Sequence, residues 1–206
     1  MINYKDEIYK LKEKCYSCKK CTLGQELVDG EDPHVFANGR VPAEIIFIAE
    51  AGGAEEVRQK LPLVGRSGQF YNDKILTGAG LSREEVYTTN TCHCRPPGNR
   101  NPLPNEIEAC REFLDAEIYL HDPKLIITLG NIPLYGVCET TGITKKRGVI
   151  ILSRTWSNGK QYPVFPMLHP SYCLRGSGHK EMAEDIEKLK NIVIKINNGE
   201  MGERDE

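Results

Sequence analysis

Six of the eight cysteines in this chain fall into two clusters with the spacing of metal ligands. They are Cys15, Cys18 and Cys21 in the N-terminal stretch CYSCKKC, and Cys92, Cys94 and Cys110 farther along the chain. A four-thiolate site takes two cysteines from each cluster, and it would hold either a tetrahedral zinc ion or a [4Fe–4S] cluster. The spacing alone does not choose between these two metal centres.

The segment that leads from Cys94 to Cys110, CRPPGNRNPLPNEIEAC, contains prolines that exclude a regular helix or a central strand from its first half. It also carries Arg95 and Arg100. A metal bound by the flanking cysteines would fix this loop and present both arginines to an anionic partner. The two remaining cysteines, Cys138 and Cys173, stand alone and are typical of small buried apolar residues.

Three polar residues follow predicted strands in a pattern that suggests acid–base chemistry and recognition. Apolar runs bounded by turn residues predict strands at 44–50, 86–90, 125–130 and 162–168. Glu50, Asn90 and His169 stand at or just after the ends of three of them. Since the carboxyl ends of parallel strands meet at one edge of a sheet, we expect a carboxylate, an amide and an imidazole to converge there. Each of the three, taken singly, also fits a turn or a cap.

Helical patterns alternate with the strands. Apolar residues share one helical face over 107–118 and again over 182–196, and a further helix is predicted around 68–80, closed by Gly78 or Gly80. This alternation predicts an α/β protein with a parallel sheet and helices on both faces. We expect one domain over residues 1–198, followed by a solvated tail at 199–206.

Composition limits the class of protein. The chain has 206 residues, 39% apolar residues and a net charge of −2, values ordinary for a water-soluble domain. No apolar run approaches the roughly 18 residues of a membrane span, and the charged N-terminus lacks a signal-peptide core. We therefore expect a cytoplasmic protein with no membrane association. Clustered thiols in that compartment indicate metal binding in preference to disulfides.

Five short motifs carry a family resemblance. They are CxxCxL at 18–23, AEAGG at 49–53, PLVGRSG at 62–68, NTCHCRPPGNR at 90–100 and HPSYCLR at 169–175. With these motifs the sequence resembles the family 4 uracil-DNA glycosylases, the iron–sulfur branch of the uracil-DNA glycosylase superfamily, from about residue 18 to about residue 175. The CRPPGNR stretch followed by a cysteine on a helix is the most specific of the five.

The resemblance implies a three-layer α/β/α sandwich around a four-stranded parallel sheet. It implies a monomeric enzyme that binds DNA, flips a uracil-type base out of the helix and hydrolyses its glycosidic bond. It also implies a structural [4Fe–4S] cluster, favoured over zinc, with the ligands Cys18, Cys21, Cys94 and Cys110. Glu50 would position the water and stabilise the sugar cation, His169 would donate a hydrogen bond to the departing base, and Asn90 would recognise the base edge.

Further residues receive implied roles in binding. Gly52, Gly53 and Leu63 would contact the base, and the Gly52–Gly53 amides would hold the base or a phosphate. The residues implied to contact DNA are Ser67, Arg95, Arg100, Ser171, Cys173, Leu174 and Arg175. Within this set, Cys173 or Leu174 would fill the gap left by the flipped nucleotide.

Three positions depart from the family pattern, and they keep two alternatives open. Gly52 replaces a proline, Leu63 replaces the aromatic residue expected to stack on the base, and Cys173 replaces a leucine. One alternative is a glycosylase or related enzyme for a pyrimidine with a bulky 5-substituent, as in viral DNA with modified bases. The other is an iron–sulfur protein that binds DNA or a partner and has lost its activity, which the intact Glu50, Asn90 and His169 argue against.

Overall fold

The apolar segments of the chain form a six-stranded sheet in the computed structural model, which describes residues 3–200. In chain order the strands are β1 (Asn38–Gly39), β2 (Ile45–Ala51), β3 (Tyr87–Cys92), β4 (Leu125–Leu129), β5 (Ile151–Leu152) and β6 (Pro163–Met167). Their order across the sheet is β1-β3-β2-β4-β6-β5. The four central strands pair in parallel, which confirms the predicted sheet, and the two-residue strands β1 and β5 extend it with antiparallel edges.

Helices cover both faces of this sheet. They are α1 (Tyr4–Tyr16), α2 (Ala54–Gln59), α3 (Arg66–Phe70), α4 (Thr77–Ala79), α5 (Pro104–His121), α6 (Asn131–Cys138), α7 (Ile143–Lys146), α8 (Pro170–Leu174) and α9 (His179–Asn197). A π-helical segment, Tyr71–Leu76, joins α3 to α4. This helical run ends at Gly80, whose φ of 71° is left-handed, so the second of the two predicted stop residues is the one used.

Alternating side chains of β2 divide the core into two layers, as the two-residue period of a strand requires. Phe47 belongs to a buried cluster that also contains Ile75 and Leu189, from the π-helical segment and α9. Ile46 and Ile48 belong to a second cluster on the opposite face, packed with Leu114 and Ile118 of α5. The predicted three-layer α/β/α arrangement is therefore confirmed.

The strand ends come together at one edge, as expected. Glu50 is near the end of β2, Gly130 and Asn131 follow β4, and His169 follows β6 after a single intervening residue. No helix within residues 3–200 combines the length and apolar character needed to cross a membrane. The domain boundary at residue 198 stays a prediction. Residues 201–206 of the predicted tail lie outside the described part of the chain.

Candidate active site and thiol cavity

The carboxyl ends of the parallel strands open into a cleft of about 770 Å³. Its walls come from residues within 50–56, 63–67, 96–101, 130–132, 143–144 and 168–175. This volume is in the range of sites that enclose a small organic molecule. The two residues with predicted catalytic roles, Glu50 and His169, both line it.

Glu50 and His169 differ in their electrostatic setting. Glu50 is partly buried, and this burial raises the pKa of its carboxyl group above the ordinary value. His169 caps the start of α8: its Nδ1 accepts a hydrogen bond from the backbone N–H of Ser171 at 3.1 Å. Burial, reinforced by the charge of Arg175, lowers the pKa of His169 to about 4. At neutral pH His169 is therefore an uncharged imidazole whose proton is on Nε2, and it offers one N–H donor.

Asn90 is placed differently from the prediction. The strand continues past it to Cys92, so Asn90 is 2% exposed and is not among the residues that line the cleft. It lies in β3 opposite Ala49, the neighbour of Glu50 in sequence. Its amide Nδ2 has no hydrogen-bond partner within residues 3–200. A buried donor without a partner is costly, and such groups commonly have a partner outside the protein.

A single carboxylate joins two loops of the cleft. Glu56 Oε1 accepts hydrogen bonds from the backbone N–H groups of Val64 and Gly65, at 2.9 and 2.8 Å. Its Oε2 accepts one from the N–H of Gly53 at 3.0 Å. The Gly53 amide thus already has a partner, which corrects the expectation that it would hold the base or a phosphate. Gly52 is buried, and a Cβ at that position would lie 2.8 Å from Val35 Cγ2.

Leu63 lines the cleft in an unusual backbone conformation. Its φ is 51°, in the left-handed region, and it is 5% exposed. Arg83 holds this turn by donating hydrogen bonds to the carbonyl of Pro62, at 3.1 Å, and to the carbonyl of Leu63. A Cβ on Gly68 would fall 2.0 Å from the Leu63 carbonyl oxygen, so only glycine allows α3 to approach the turn this closely. Position 63 therefore has a defined geometry at the cleft wall.

The predicted DNA contacts separate into two groups. Ser67, Arg100, Ser171 and Arg175 line the cleft. Arg95 does not: it is 6% exposed, with Nη1 2.8 Å from Asp29 Oδ2. This contradicts its predicted exposure to an anionic partner, because a partner within the chain already neutralises it.

Arg100 makes two parallel hydrogen bonds to the buried Glu106, at 2.8 and 2.7 Å. The side chain of Arg100 nonetheless remains 39% exposed, so it combines a structural contact with a position on the cleft wall.

In the segment 170–175, only one of the two side chains expected to fill the gap is accessible. Cys173 is 1% exposed, and its Sγ lies 3.6 Å from the carbonyl oxygen of Gly178, so it packs in the core and does not project. Tyr172 and Leu174 are 39% and 38% exposed. Of the two residues expected to fill the gap left by a flipped nucleotide, Leu174 is the one that is accessible.

A second, smaller cavity is lined by thiols. Cys18, Cys21, Cys94 and Cys110 all contribute to its wall, with Cys15 beside them. We call this the thiol cavity. Cys92 is buried but does not line it, and all eight cysteines are free of disulfides. Within residues 3–200, no three His, Cys, Asp or Glu side chains are grouped closely enough to be recognised as a site for one metal ion.

One thiol of the thiol cavity, Cys110, has a lowered pKa. Hydrogen bonding from Cys92, with the charge and hydrogen bonds of His93, holds the pKa of Cys110 well below its usual range despite burial. Burial raises the pKa of Cys94 and of Cys21. Since thiolates are the metal-binding form of cysteine, Cys110 is prepared for coordination and the others would lose their protons on binding. The four-thiol donor set therefore fits an iron–sulfur cluster.

Comparison with known proteins decides the family. The family model described as "Uracil DNA glycosylase superfamily" matches residues 36–190, which include most segments of the cleft wall. The chain belongs to this superfamily. Type-4 uracil-DNA glycosylases of Sulfurisphaera tokodaii and Thermotoga maritima are each 37% identical to it, over 92% and 89% of this chain and 86% and 91% of their own lengths. That of Archaeoglobus fulgidus is 33% identical, over 87% of this chain and 89% of its own.

Sequence reasoning missed two residues of this superfamily member's cleft. Glu56 joins two loops by accepting hydrogen bonds from their backbone N–H groups. Because these partners are backbone groups, no local sequence pattern connects the two loops. Tyr172 is an exposed aromatic side chain on the cleft wall, and its place inside the HPSYCLR motif was the available signal. Positions 63 and 173 differ in one respect: Leu63 and Cys173 belong to the same buried core cluster, but only Leu63 also lines the cleft.

Proposed function

We propose that this chain excises uracil from DNA by hydrolysing the bond between base and deoxyribose, with Glu50 and His169 acting on the transition state. The observation that carries the proposal is their placement on one cleft, which is lined both by a carboxyl group and by a neutral imidazole that offers an N–H donor. The base is inaccessible inside a duplex, so it must first be flipped into the cleft at a cost of a few kcal/mol.

Bond cleavage places positive charge on the sugar and negative charge on the departing base. In its ionised form, Glu50 would orient the attacking water and stabilise the sugar cation. The Nε2–H of His169 would donate to the base oxygen that gains charge, and because the ring is neutral it needs no proton from solvent. Asn90 does not line the cleft, but its Nδ2 has no partner within residues 3–200, and we propose that this amide, which offers both a donor and an acceptor, recognises the base edge.

Residues of the cleft wall would bind the DNA backbone. Ser67, Arg100 and Arg175 would contact phosphates, and Ser171 connects two site residues because its Oγ is 2.8 Å from His169 Nδ1 and 3.1 Å from Arg175 Nη1. Leu174 would fill the space vacated by the flipped nucleotide.

We propose that Cys18, Cys21, Cys94 and Cys110 bind a [4Fe–4S] cluster. The thiol cavity and the lowered pKa of Cys110 support a four-thiolate metal site, and the resemblance to the iron–sulfur branch supports the cluster over zinc. The bound cluster would supply a structural cross-link between the N-terminal segment, the loop after β3 and α5. Iron and zinc analysis of the purified protein distinguishes the two metal centres.

We also propose that the protein acts as a monomer in the cytoplasm. The eight free thiols support a reducing compartment, in which disulfides do not persist.

The activity is tested with oligonucleotides that contain uracil, thymine, 5-hydroxymethyluracil or modified cytosines, followed by alkaline cleavage at abasic sites. We expect strand breaks at uracil. If iron-containing protein leaves uracil-DNA intact but cuts a modified pyrimidine, the alternative substrate class is correct. If it binds DNA and cuts nothing, the non-enzymatic alternative is correct.

The pH profile should depend on Glu50. Because burial raises the pKa of Glu50 and the carboxylate is the active form, the single-turnover rate should rise with pH through that raised pKa and then level off. His169 becomes protonated only around its pKa of about 4, at the acidic end of the profile. In Glu50→Gln, the residual rate should lack the acidic limb. If the limb persists at the same pH in this variant, another group is responsible.

Leu63 should limit activity on a small flat base, because a leucine has no aromatic face. Leu63→Phe is expected to increase the rate on uracil-DNA, since stacking on an aromatic ring is typically worth about 1–3 kcal/mol per base. The measurement is the ratio of rates on uracil and on the best modified pyrimidine.

A matched control for this exchange is Leu27→Phe, at a residue that is 66% exposed and outside the cleft wall; it should leave the ratio unchanged. If Leu63→Phe also leaves the ratio unchanged, position 63 does not contact the base. If it blocks a modified base that the unaltered protein prefers, the cleft is built for that larger base.

A further inference from the structure

A buried carboxylate lies behind the thiol cavity. Glu117 of α5 is fully buried, and it accepts hydrogen bonds from the hydroxyl groups of Tyr87, at 3.0 Å, and of Thr89, at 2.9 Å. A third neighbour, His93 Nε2, is 3.3 Å away. These three polar residues leave Glu117 well paired, as a buried charge requires. The predicted mechanism uses none of them.

The opposite edge of the His93 ring faces a ligand of the proposed cluster. Its Nδ1 lies 3.4 Å from Cys110 Sγ, and its backbone N–H donates to the same sulfur at 3.2 Å. A carboxylate oxygen and a cysteine sulfur are both acceptors, so each ring nitrogen of His93 faces a hydrogen-bond acceptor. The packing is fixed as well, because the ring is flanked by Phe36 and Phe113 with centroids 5.5 and 5.7 Å away.

We propose that His93, oriented by Glu117, is a positioning residue for Cys110 and that its hydrogen bonds to Cys110 Sγ set the reduction potential of the metal centre. This inference rests on the proposed cluster. Hydrogen bonds to the sulfurs are among the factors that determine such potentials, since they withdraw electron density from the thiolate and stabilise the reduced state. The carboxylate–histidine–thiolate chain has the form of the outer-shell arrangements that orient metal ligands.

Two substitutions at position 93 separate the sulfur contact from the contact with Glu117. An asparagine side chain places its amide near the former Nδ1 position. His93→Asn can therefore keep the donor to Cys110 Sγ while it loses the contact with Glu117. A glutamine side chain reaches the former Nε2 position. His93→Gln can therefore keep the contact with Glu117 while it loses the side-chain donor to Cys110 Sγ. Both replacements are neutral, and thus a difference between them does not arise from side-chain charge.

The measurement is the one-electron midpoint potential of the intact, iron-containing protein at an electrode, where one electron passes between electrode and cluster and no bond changes. We expect the midpoint potential of His93→Gln to be about 59 mV lower than that of His93→Asn. For one electron, this difference corresponds to a tenfold change in the redox equilibrium. Tyr71→Phe removes a buried hydroxyl that is bonded to Thr88, away from the thiol cavity, and should leave the potential unchanged.

Equal potentials in the two variants would overturn the proposal. If either variant does not retain iron, pulsed EPR of the unaltered protein with ¹⁵N-labelled histidine side chains decides instead: a nitrogen coupling to the paramagnetic cluster is expected, and its absence overturns the role of His93. If the unaltered protein contains no iron, the proposed cluster itself fails, which is a separate result.

Discussion

Replacing His169 with asparagine is expected to lower the single-turnover rate of uracil excision by about 10²–10³-fold, the usual cost of deleting one donor to a developing negative charge. The reason lies in the two ring nitrogens. Nδ1 accepts the Ser171 N–H at the start of α8, and an asparagine oxygen can take over this capping role. The Nε2–H donor has no equivalent in asparagine, so the substitution removes the contact to the base while keeping the cap.

The affinity for uracil-DNA should change little in the same variant, because the proposed phosphate contacts of Ser67, Arg100 and Arg175 would remain. Single-turnover kinetics and a binding titration therefore have to be measured on the same preparation. His179→Asn makes the identical exchange at the exposed first residue of α9, outside the cleft wall, and should retain the native rate. A native rate in His169→Asn would remove His169 from the mechanism.

Loss of a proposed cluster ligand should have the largest effect on stability. Cys110→Ala is expected to give protein that lacks a complete cluster, has a strongly lowered unfolding midpoint and accumulates poorly, because metal binding and local folding are coupled. The site joins α5 to the segment around Cys18 and Cys21 and to the loop after β3, so its loss releases three parts of the chain together.

The matched control is Cys138→Ala. Cys138 is the last residue of α6, is partly buried and lies outside the thiol cavity. Its replacement should keep the iron content and cost on the order of 1 kcal/mol, the typical size of a single substitution. Iron analysis and thermal unfolding of both variants provide the comparison. Equal behaviour of Cys110→Ala and Cys138→Ala would show that the ligand assignment is incorrect.

The parts of the fold that were predictable are those with local patterns. The central strands are apolar runs long enough to be recognised, and α5 and α9 have a clear helical period. The edge strands β1 and β5 have two residues each and therefore no period to detect. Asn90 was predicted to end its strand, but β3 continues through Thr91 and Cys92, and this continuation buries it away from the cleft wall.

The site was predictable where a residue's position along the chain determines its role, and not where the role depends on a distant partner. Glu50 is near the end of β2 and His169 comes just after β6, so strand prediction places them at the cleft. Arg95 is buried because Asp29 lies beside it, a contact between segments far apart in sequence. Likewise, the three amides that Glu56 holds belong to two separate loops, and only the folded chain brings them together.

The contact between Gly52 and Val35 implies a dependence between two positions during evolution. A Cβ at position 52 would lie 2.8 Å from Val35 Cγ2 and 3.3 Å from its Cβ, and the stiff valine side chain has little freedom to withdraw. The family's proline carries such a Cβ, so at this backbone geometry it is compatible only with a smaller side chain at position 35. The two positions are therefore epistatic. A substitution that adds a Cβ at position 52 alone would therefore meet this clash, whereas the same substitution together with a smaller side chain at position 35 would avoid it.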